Sequence, residues 1–389
     1  TKKGKKGKPK FTFNTYGGVN KEANRVDMLS AEGWIKRAKT MIDSQWVGSG
    51  IAGASASQTT AERIAAYNAA NPAAPLTTAN SRYYTYLYDD RWDMPGHPGL
   101  DYIDWQDKVF RTGEFSNYQL TASGATDAVN YYVSANYQKN TGYIVGTDYS
   151  LFSARANVDI KLSENFKMGI NLAPSYSIKN DPGVEGKDNT LFKALTATPV
   201  FESAANAAGE KYTTRYAWGS STTNMLNALA RTGRNSMYRN LISGYASYQF
   251  AKSFTLKSTI NFDNSDNVNE SYTPNDVIAS IRGAYNTYRR QNIVNENTLT
   301  YDKTFGNHSF NLLLGESFNA YEITKSTMSS GALYNSSSIE TLPAGSIGST
   351  TAEKNTLLSY FSRIQYNFKE KYILSASIRR DGSSKFGTD

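Results

Sequence analysis

Two histidines, one glycine-spaced loop, adjacent carboxylates and a set of loop aromatics are the residues here whose types could do chemistry. His97 lies in Pro95-Gly96-His97-Pro98-Gly99, and His308 sits beside a tight turn. Neither has an HxxxH partner or a nucleophile elbow, so metal-assisted hydrolysis and acyl transfer lack their residues. Gly48-Ser49-Gly50-Ile51-Ala52-Gly53 spells GxGxxG. A dinucleotide site needs a strand before that motif and a helix after it. Here an expected helix precedes and the small-residue run ASASQ follows, which reads as a loop. Asp89-Asp90 could do glycosidase work, but neighbours in an extended chain point apart. No catalytic residue, cofactor or metal site is expected. Tyr83, Tyr84, Tyr86, Tyr88, Trp92 and Trp218 remain, all in long connections. Aromatic faces beside amides and carboxylates suit the CH faces and hydroxyl rims of sugars. The competing reading is that these rings pack their own loops or sit in an interfacial belt.

The elements that would position these groups are strands. The chain has 389 residues, of which 39% are hydrophobic and 13% aromatic. Mean hydropathy is −0.55, and no run approaches the roughly 18 apolar residues of a spanning helix. A helical membrane protein is excluded; a β-barrel is not, because only alternate residues face lipid. Cysteine is absent, which removes disulfides and thiolate metal sites. The formal charge is +8, but six lysines fall in the first ten residues, which leaves +2 on the rest. Lys2–Lys10 reads as a solvated hinge before a strand rather than a nucleic-acid patch, since no basic helix follows. Thr1-Lys2-Lys3-Gly4 shows neither a start Met nor an apolar leader, and the chain reads as cut there.

Alternation is clearest in Leu357–Lys385. Leu358, Tyr360, Ile364, Tyr366 and Phe368 share one face there, against Ser359, Arg363, Gln365 and Asn367. A charged turn joins them to Tyr372, Leu374, Ala376 and Ile378. The same pattern predicts strands at 11–19, 114–122, 127–138, 148–162, 165–178, 237–250, 253–263, 293–303 and 308–323. Glu316 falls on the apolar parity of its strand, which predicts a bulge or a place beyond the bilayer. Tight turns near 123–126, 163–165, 251–253, 304–307 and 369–371 alternate with long connections at 20–113, 139–147, 179–236, 264–292 and 324–354. Short turns on one side and long loops on the other mark outer-membrane barrels. Within 20–113, a helix is expected over about Ser30–Ile42, with Ser30 as N-cap, Glu32 in the first turn and an apolar stripe through Trp34, Ile35, Ala38, Met41 and Ile42. A second runs from Thr60 to Asn71, ended by Pro72. Eleven strands is an odd count, and single-chain barrels use even ones, so a fragment is expected.

Three stretches carry a family resemblance. Thr1–Lys10 resembles the end of the plug and the start of the barrel in SusC/RagA-like TonB-dependent outer-membrane transporters. Asp104-Trp105-Gln106-Asp107 with Val109-Phe110-Arg111-Thr112-Gly113 resembles that family's lead-in to the second strand. Leu358-Ser359-Tyr360-Phe361, Lys371-Tyr372-Ile373-Leu374 and Arg379-Arg380-Asp381-Gly382-Ser383-Ser384-Lys385-Phe386-Gly387 resemble its mid-barrel segment. The resemblance implies an antiparallel up-and-down barrel of about 22 strands, of which about 11 would lie here. Residues 1–10 would end the plug and 11–389 would be partial barrel. It also implies a SusD-like surface lipoprotein lid, drive from TonB, and glycan oligomers or peptides as cargo. The location would be the outer membrane of a Gram-negative bacterium, in contact with lipid and without nucleic acid.

Two other classes compete. A soluble surface β-sandwich, adhesin or glycan-binding protein, would bury its apolar strand faces against each other in two layers. A secreted glycan-acting enzyme would need carboxylates converging at sugar-cleaving distance.

Overall fold

The computed structural model describes residues 4–183, 190–205, 207, 209, 214, 216, 230–273, 282–330, 342 and 346–386. Strand β1 (Lys10–Asn20) leads into a long excursion holding α1 (Ala31–Val47), α2 (Thr60–Ala70), α3 (Tyr83–Tyr86), a 3-10 turn (Asp90–Asp93), β2 (Leu100–Tyr102) and α4 (Gln106–Val109). Then come β3 (Gly113–Ala125), β4 (Val129–Thr141), β5 (Asp148–Lys161) and β6 (Phe166–Asn180). A second excursion holds α5 (Thr190–Thr196) and β7 (Val200–Glu202). Six long strands follow: β8 (Thr232–Phe250), β9 (Phe254–Thr273), β10 (Arg282–Phe305), β11 (His308–Ser329), β12 (Ile347–Phe368) and β13 (Tyr372–Ser383).

Eleven strands form one sheet in the order β1-β3-β4-β5-β6-β8-β9-β10-β11-β12-β13, and β2 pairs with β7 separately. Every neighbour is antiparallel, as in Lys10↔Ser123 and Phe368↔Tyr372. β1 and β13 stand at opposite ends of that order, so the sheet is open. The count of eleven matches the alternation in the sequence, but the lengths do not. Most of the described residues in 264–292 and 324–354, expected as loops, are strand: β9 runs to Thr273, β10 starts at Arg282, β11 reaches Ser329 and β12 starts at Ile347. Asn264, Asp266, Val268 and Glu270 continue the outward parity of Phe254, Leu256, Ile260 and Phe262. The ladder continues there while the outward side chains turn polar, so the apolar alternation ends before the strand does. Glu316 makes no bulge. It holds unbroken register with Asn297 on one side and Tyr360 on the other.

The first helix forms where Ser30, Glu32 and the apolar stripe place it. Ser30 Oγ accepts from Gly33 N at 3.1 Å. Ile35, Ala38 and Ile42 are buried, and Trp46 extends the stripe one turn past the expected end. Helix α2 carries a full capping box between Thr59 and Glu62. We expect Ser30→Ala to cost about 1 kcal/mol of local stability, read as faster amide exchange in the first turn of α1.

The lysine-rich start is docked rather than free. Gly4 N donates to Asn130 Oδ1 at 2.8 Å, and Asn130 Nδ2 donates back to Gly4 O at 2.9 Å. Lys6 pairs with Asp127 in the β3–β4 turn. The expectation of a solvated hinge therefore holds for the exposed Lys6 side chain but not for the backbone, which the turn anchors.

Candidate functional site

The sheet has two unlike faces. Outward residues on successive strands include Leu120, Val133, Ile170, Ile242, Ile260, Leu314, Ile364 and Ile378, all exposed. Such an apolar surface is unfavourable in water and suited to lipid. Near the tight turns, Phe166, Tyr248, Phe250, Phe254 and Tyr301 contact in sequence, with ring centroids 4.8–6.3 Å apart. Phe305, Phe310, Tyr366, His308, Phe368 and Tyr372 continue that belt. His308 Nδ1 lies 2.7 Å from Tyr366 Oη, so this histidine belongs to the belt. A second aromatic row is paired directly across five strands: Tyr118, Tyr137, Phe152, Tyr176 and Tyr238. Phe166 and Tyr176 are ten residues apart on β6. At about 3.3 Å per residue and a tilt near 40°, that separation spans about 25 Å, the height of an outer-membrane apolar band.

The inward face is polar. Arg239 donates to Asp263 through Nε and Nη2 at 2.9 and 2.8 Å. Tyr245 Oη donates to Asp159 at 2.9 Å. Asn235, Asn267 and Asn269 share amide hydrogen bonds farther along the strands. Arg379 donates to Asp381 at 2.8 Å and to the buried Ser359 hydroxyl at 2.9 Å.

Beyond the long-loop rim, the excursion after β1 and the segment holding α5 and β7 fold together into a cap. One cluster joins Ile103, Trp105 and Val109 to Ile144, Ala194, Ala197 and Phe201. A second joins Ile35, Ala38, Ile42 and Trp92 to Val200 and Tyr216. A third holds Trp46, Tyr67, Leu76, Tyr86 and Leu87. Arg91 grips Asp89 through Nε and Nη2 at 2.9 and 2.6 Å, and Glu202 through Nη1 and Nη2 at 2.7 and 2.8 Å. Tyr216 Oη donates to Asp89 at 2.9 Å and accepts from Trp92 Nε1 at the same distance. Burial pushes the Asp89 carboxyl up, but Arg91 and Tyr216 outweigh it and hold it below its ordinary value. Glu202 and then Asp89 raise the Arg91 guanidinium, and burial pushes the Tyr216 phenol up.

The six aromatic candidates separate by burial. Tyr86 and Trp92 are 6% and 4% exposed and lie inside the cap's own clusters. Neither ring has a face open to a ligand, so the packing alternative describes them. Tyr88 is half-buried, with its hydroxyl on Asp43; burial first, then that carboxylate, raises its pKa. Tyr83 and Tyr84 are half-buried and meet edge to face at 5.0 Å. Trp218 lies outside the described residues. Arg63, which sequence reasoning passed over, is the hub beneath them. It donates to Asp43, Tyr86 O, Ala56 O and Gln58 O, with its guanidinium 5.1 Å from the Tyr88 ring centroid. Its signal was an arginine on the apolar stripe of α2, one turn before Tyr67.

The motif residues work as clamps. Asp104 Oδ1 accepts from Gln106 N at 2.9 Å, and Trp105 Nε1 donates to Thr198 O at 3.0 Å. Gln106 pairs with both backbone groups of Val26, at 2.9 and 3.0 Å. Asp107 pairs with Arg25, which also lies over Phe110. Arg111 donates to Gly142 O and Thr147 O at 3.1 and 2.9 Å, tying the cap to the β4–β5 connection. At the other end, Arg380 and Gly382 sit on the outward parity of β13, and Asp381 and Ser383 on the inward one. Ser384 Oγ accepts from Thr356 N at 2.9 Å. Gly48 is the C-cap of α1, and Gly50 and Gly53 have positive φ, so the GxGxxG stretch is a loop. Among the described residues no cluster of His, Asp or Glu could hold a metal ion.

A wall that is oily outside, belted by aromatics at two heights and polar inside defines an outer-membrane β-barrel. No protein-family model matches the chain. It is 29% identical over 306 residues to TonB-dependent receptor P3 of Formosa agariphila, which covers 73% of this chain and 30% of that protein. It is 24% identical over 335 residues to TonB-dependent receptor SusC of Bacteroides thetaiotaomicron, covering 79% of this chain and 32% of SusC. Its fold superposes on the RagAB peptide transporter with a TM-score of 0.70 at 22% identity, over 100% of this chain and 44% of that one. The chain is thus similar to SusC/RagA-like TonB-dependent receptors of the outer membrane over about three quarters of its length, and it is folded as a partial up-and-down barrel. It spans about a third of the length of the curated relatives it matches. Both of those relatives are named as TonB-dependent receptors.

Proposed function

We propose that this chain forms part of the wall and the extracellular cap of a nutrient importer carrying glycan oligomers or peptides across the outer membrane. The observation that carries this reading is the division of one sheet into a lipid face and a wet face, with a folded cap at one rim. The name of its SusC relative and the peptide transport named for RagAB support import as the activity. Residues 1–10 are read as the end of a plug, since Gly4 and Lys6 dock at the inner end of the β3–β4 hairpin. A SusD-like lipoprotein would close over the cap, and TonB would supply the energy. Of the aromatic candidates, Tyr83, Tyr84 and Tyr88 are retained as capture residues because each is only half-buried. The sandwich alternative loses its support, because the apolar outward residues are exposed rather than packed on a second sheet.

The test is growth on oligomeric glycans or peptides by the source bacterium with the gene deleted, complemented, and complemented in a strain lacking TonB. Loss on deletion, rescue by the gene and no rescue without TonB are expected. Growth that continues without TonB would remove the importer reading.

A further inference from the structure

The inward face carries a recess of about 450 Å³ on the wall formed by β3, β4, β5, β6 and β8. Its origin is a fault in the ladder. β5 and β6 stay in register to Ser153↔Ser175 and resume at Ala156↔Leu172, leaving Ala154, Arg155, Ala173 and Pro174 outside the pairing. Pro174 has no N–H to give, and a proline in a central strand is rare because it costs a ladder bond. The flanking pairs Ser134↔Arg155 and Ala173↔Leu241 persist, so the opening is local.

The chemistry around the opening is uneven in charge. Arg155 and Arg239 line it, and among the described residues no carboxylate does. Asp263 compensates Arg239 and lies 4.0 Å from Arg290, so one carboxylate already serves two guanidiniums. Arg155 is exposed and has no ion pair among the described residues. Gln119, Asn136 and Ser175 supply amide and hydroxyl groups, and Leu241 an apolar patch. Small-ligand sites run from about 300 to 1,000 Å³, with a few polar groups that fix orientation. A guanidinium fork matches a carboxylate in geometry and charge.

We propose that this recess is a subsite for a carboxylate carried by passing cargo, with Arg155 as the group that binds it and Arg239 held beside it by Asp263. The carboxylate could belong to a peptide terminus or to an acidic sugar. The assignment rests on the import reading for the route, but binding is measured apart from import.

The test uses the receptor expressed from its complete gene and purified in detergent. One probe pair is N-acetyl-dialanine and its C-terminal amide; the other is galacturonate and galactose. Calorimetry is expected to show the charged member of one pair binding about tenfold tighter than its neutral partner, the scale of a charge-assisted hydrogen bond. Arg155→Gln should erase that preference and Arg155→Lys should keep part of it. A response in the peptide pair assigns a peptide terminus; a response in the sugar pair assigns an acidic glycan. Equal or absent binding within both pairs overturns the proposal, and so does a preference that survives Arg155→Gln. If Arg155→Gln leaves probe binding unchanged but makes the receptor protease-sensitive, the recess holds a carboxylate of the receptor itself, which also overturns it. TonB-dependent growth that continues without any carboxylate preference sinks the subsite and leaves the importer reading intact.

Discussion

Arg91→Met is expected to loosen the cap by about 3–5 kcal/mol, the usual cost of removing one partner from a buried ion pair. The size follows from what is left behind. Asp89 is 5% exposed and takes four of its hydrogen bonds from Arg91 and Tyr216. Glu202 closes β7 and reaches the rest of the cap through the same guanidinium. Methionine matches the volume but takes the shared guanidinium from both carboxylates, leaving Asp89 the Tyr216 hydroxyl and the backbone N–H at position 91 as donors. The measurement is limited proteolysis or amide exchange across the excursion after β1, with the barrel amides as internal control. The pH dependence has a definite sign. In the native cap the Asp89 carboxyl is held low, so its contribution is complete above the unfolded value of about 4 and is lost as pH falls through the folded value. In Arg91→Met the same carboxyl is buried without its cation and its pKa rises. Stability then falls as pH rises through that raised value, and the slope reverses. A cap equally protected in both proteins at neutral pH would show that the ion pairs carry nothing.

The membrane-spanning part of this fold was legible in sequence because lipid enforces the alternation. Phe152 to Ile160 on β5 and Phe166 to Ile178 on β6 must be apolar on every second residue or the wall would not tolerate hydrocarbon. Above the upper aromatic row nothing enforces it. β9 past Phe262 carries Asn264, Asp266 and Glu270 on its outward side, and β10 before Ile293 carries Arg289 and Gln291 there. Hydrogen bonding, which composition does not show, keeps those strands paired. The cap was harder to read for a different reason. A tyrosine that packs a core and one that stacks on a sugar look identical as letters; burial separates Trp92 from Tyr84, and burial depends on the distant Val200 and Tyr216. The DWQD stretch was visible as a family feature, but its task was not. Trp105 and Gln106 secure Thr198 and Val26, each about eighty to ninety residues away in the chain.

Replacing Ile170 with arginine is expected to destabilise the barrel by about 2–4 kcal/mol, while the same change at the next residue, Asn171, costs little. The contrast isolates orientation, because the two positions share a strand, a depth and an introduced side chain. Ile170 lies on the outward row, 43% exposed, between the belts marked by Phe166 and Tyr176. An arginine there meets hydrocarbon unless it snorkels, and the nearest aromatic rim is roughly half the apolar band away. Asn171 pairs with Asn157 and Ser243 on the inward row, where water and polar side chains receive a guanidinium. Arginine at Tyr176, in the upper aromatic row, should fall between the two, at about 0–1 kcal/mol, since the penalty fades toward the interface. The measurement is urea-dependent folding of the complete receptor into phospholipid vesicles, followed by heat-modifiable gel mobility. Equal costs at Ile170 and Asn171 would mean that neither face meets lipid. A reversed order would place the water-filled side where we place the bilayer, and the lumen recess at Arg155 would then open into hydrocarbon, where an unpaired guanidinium could not persist.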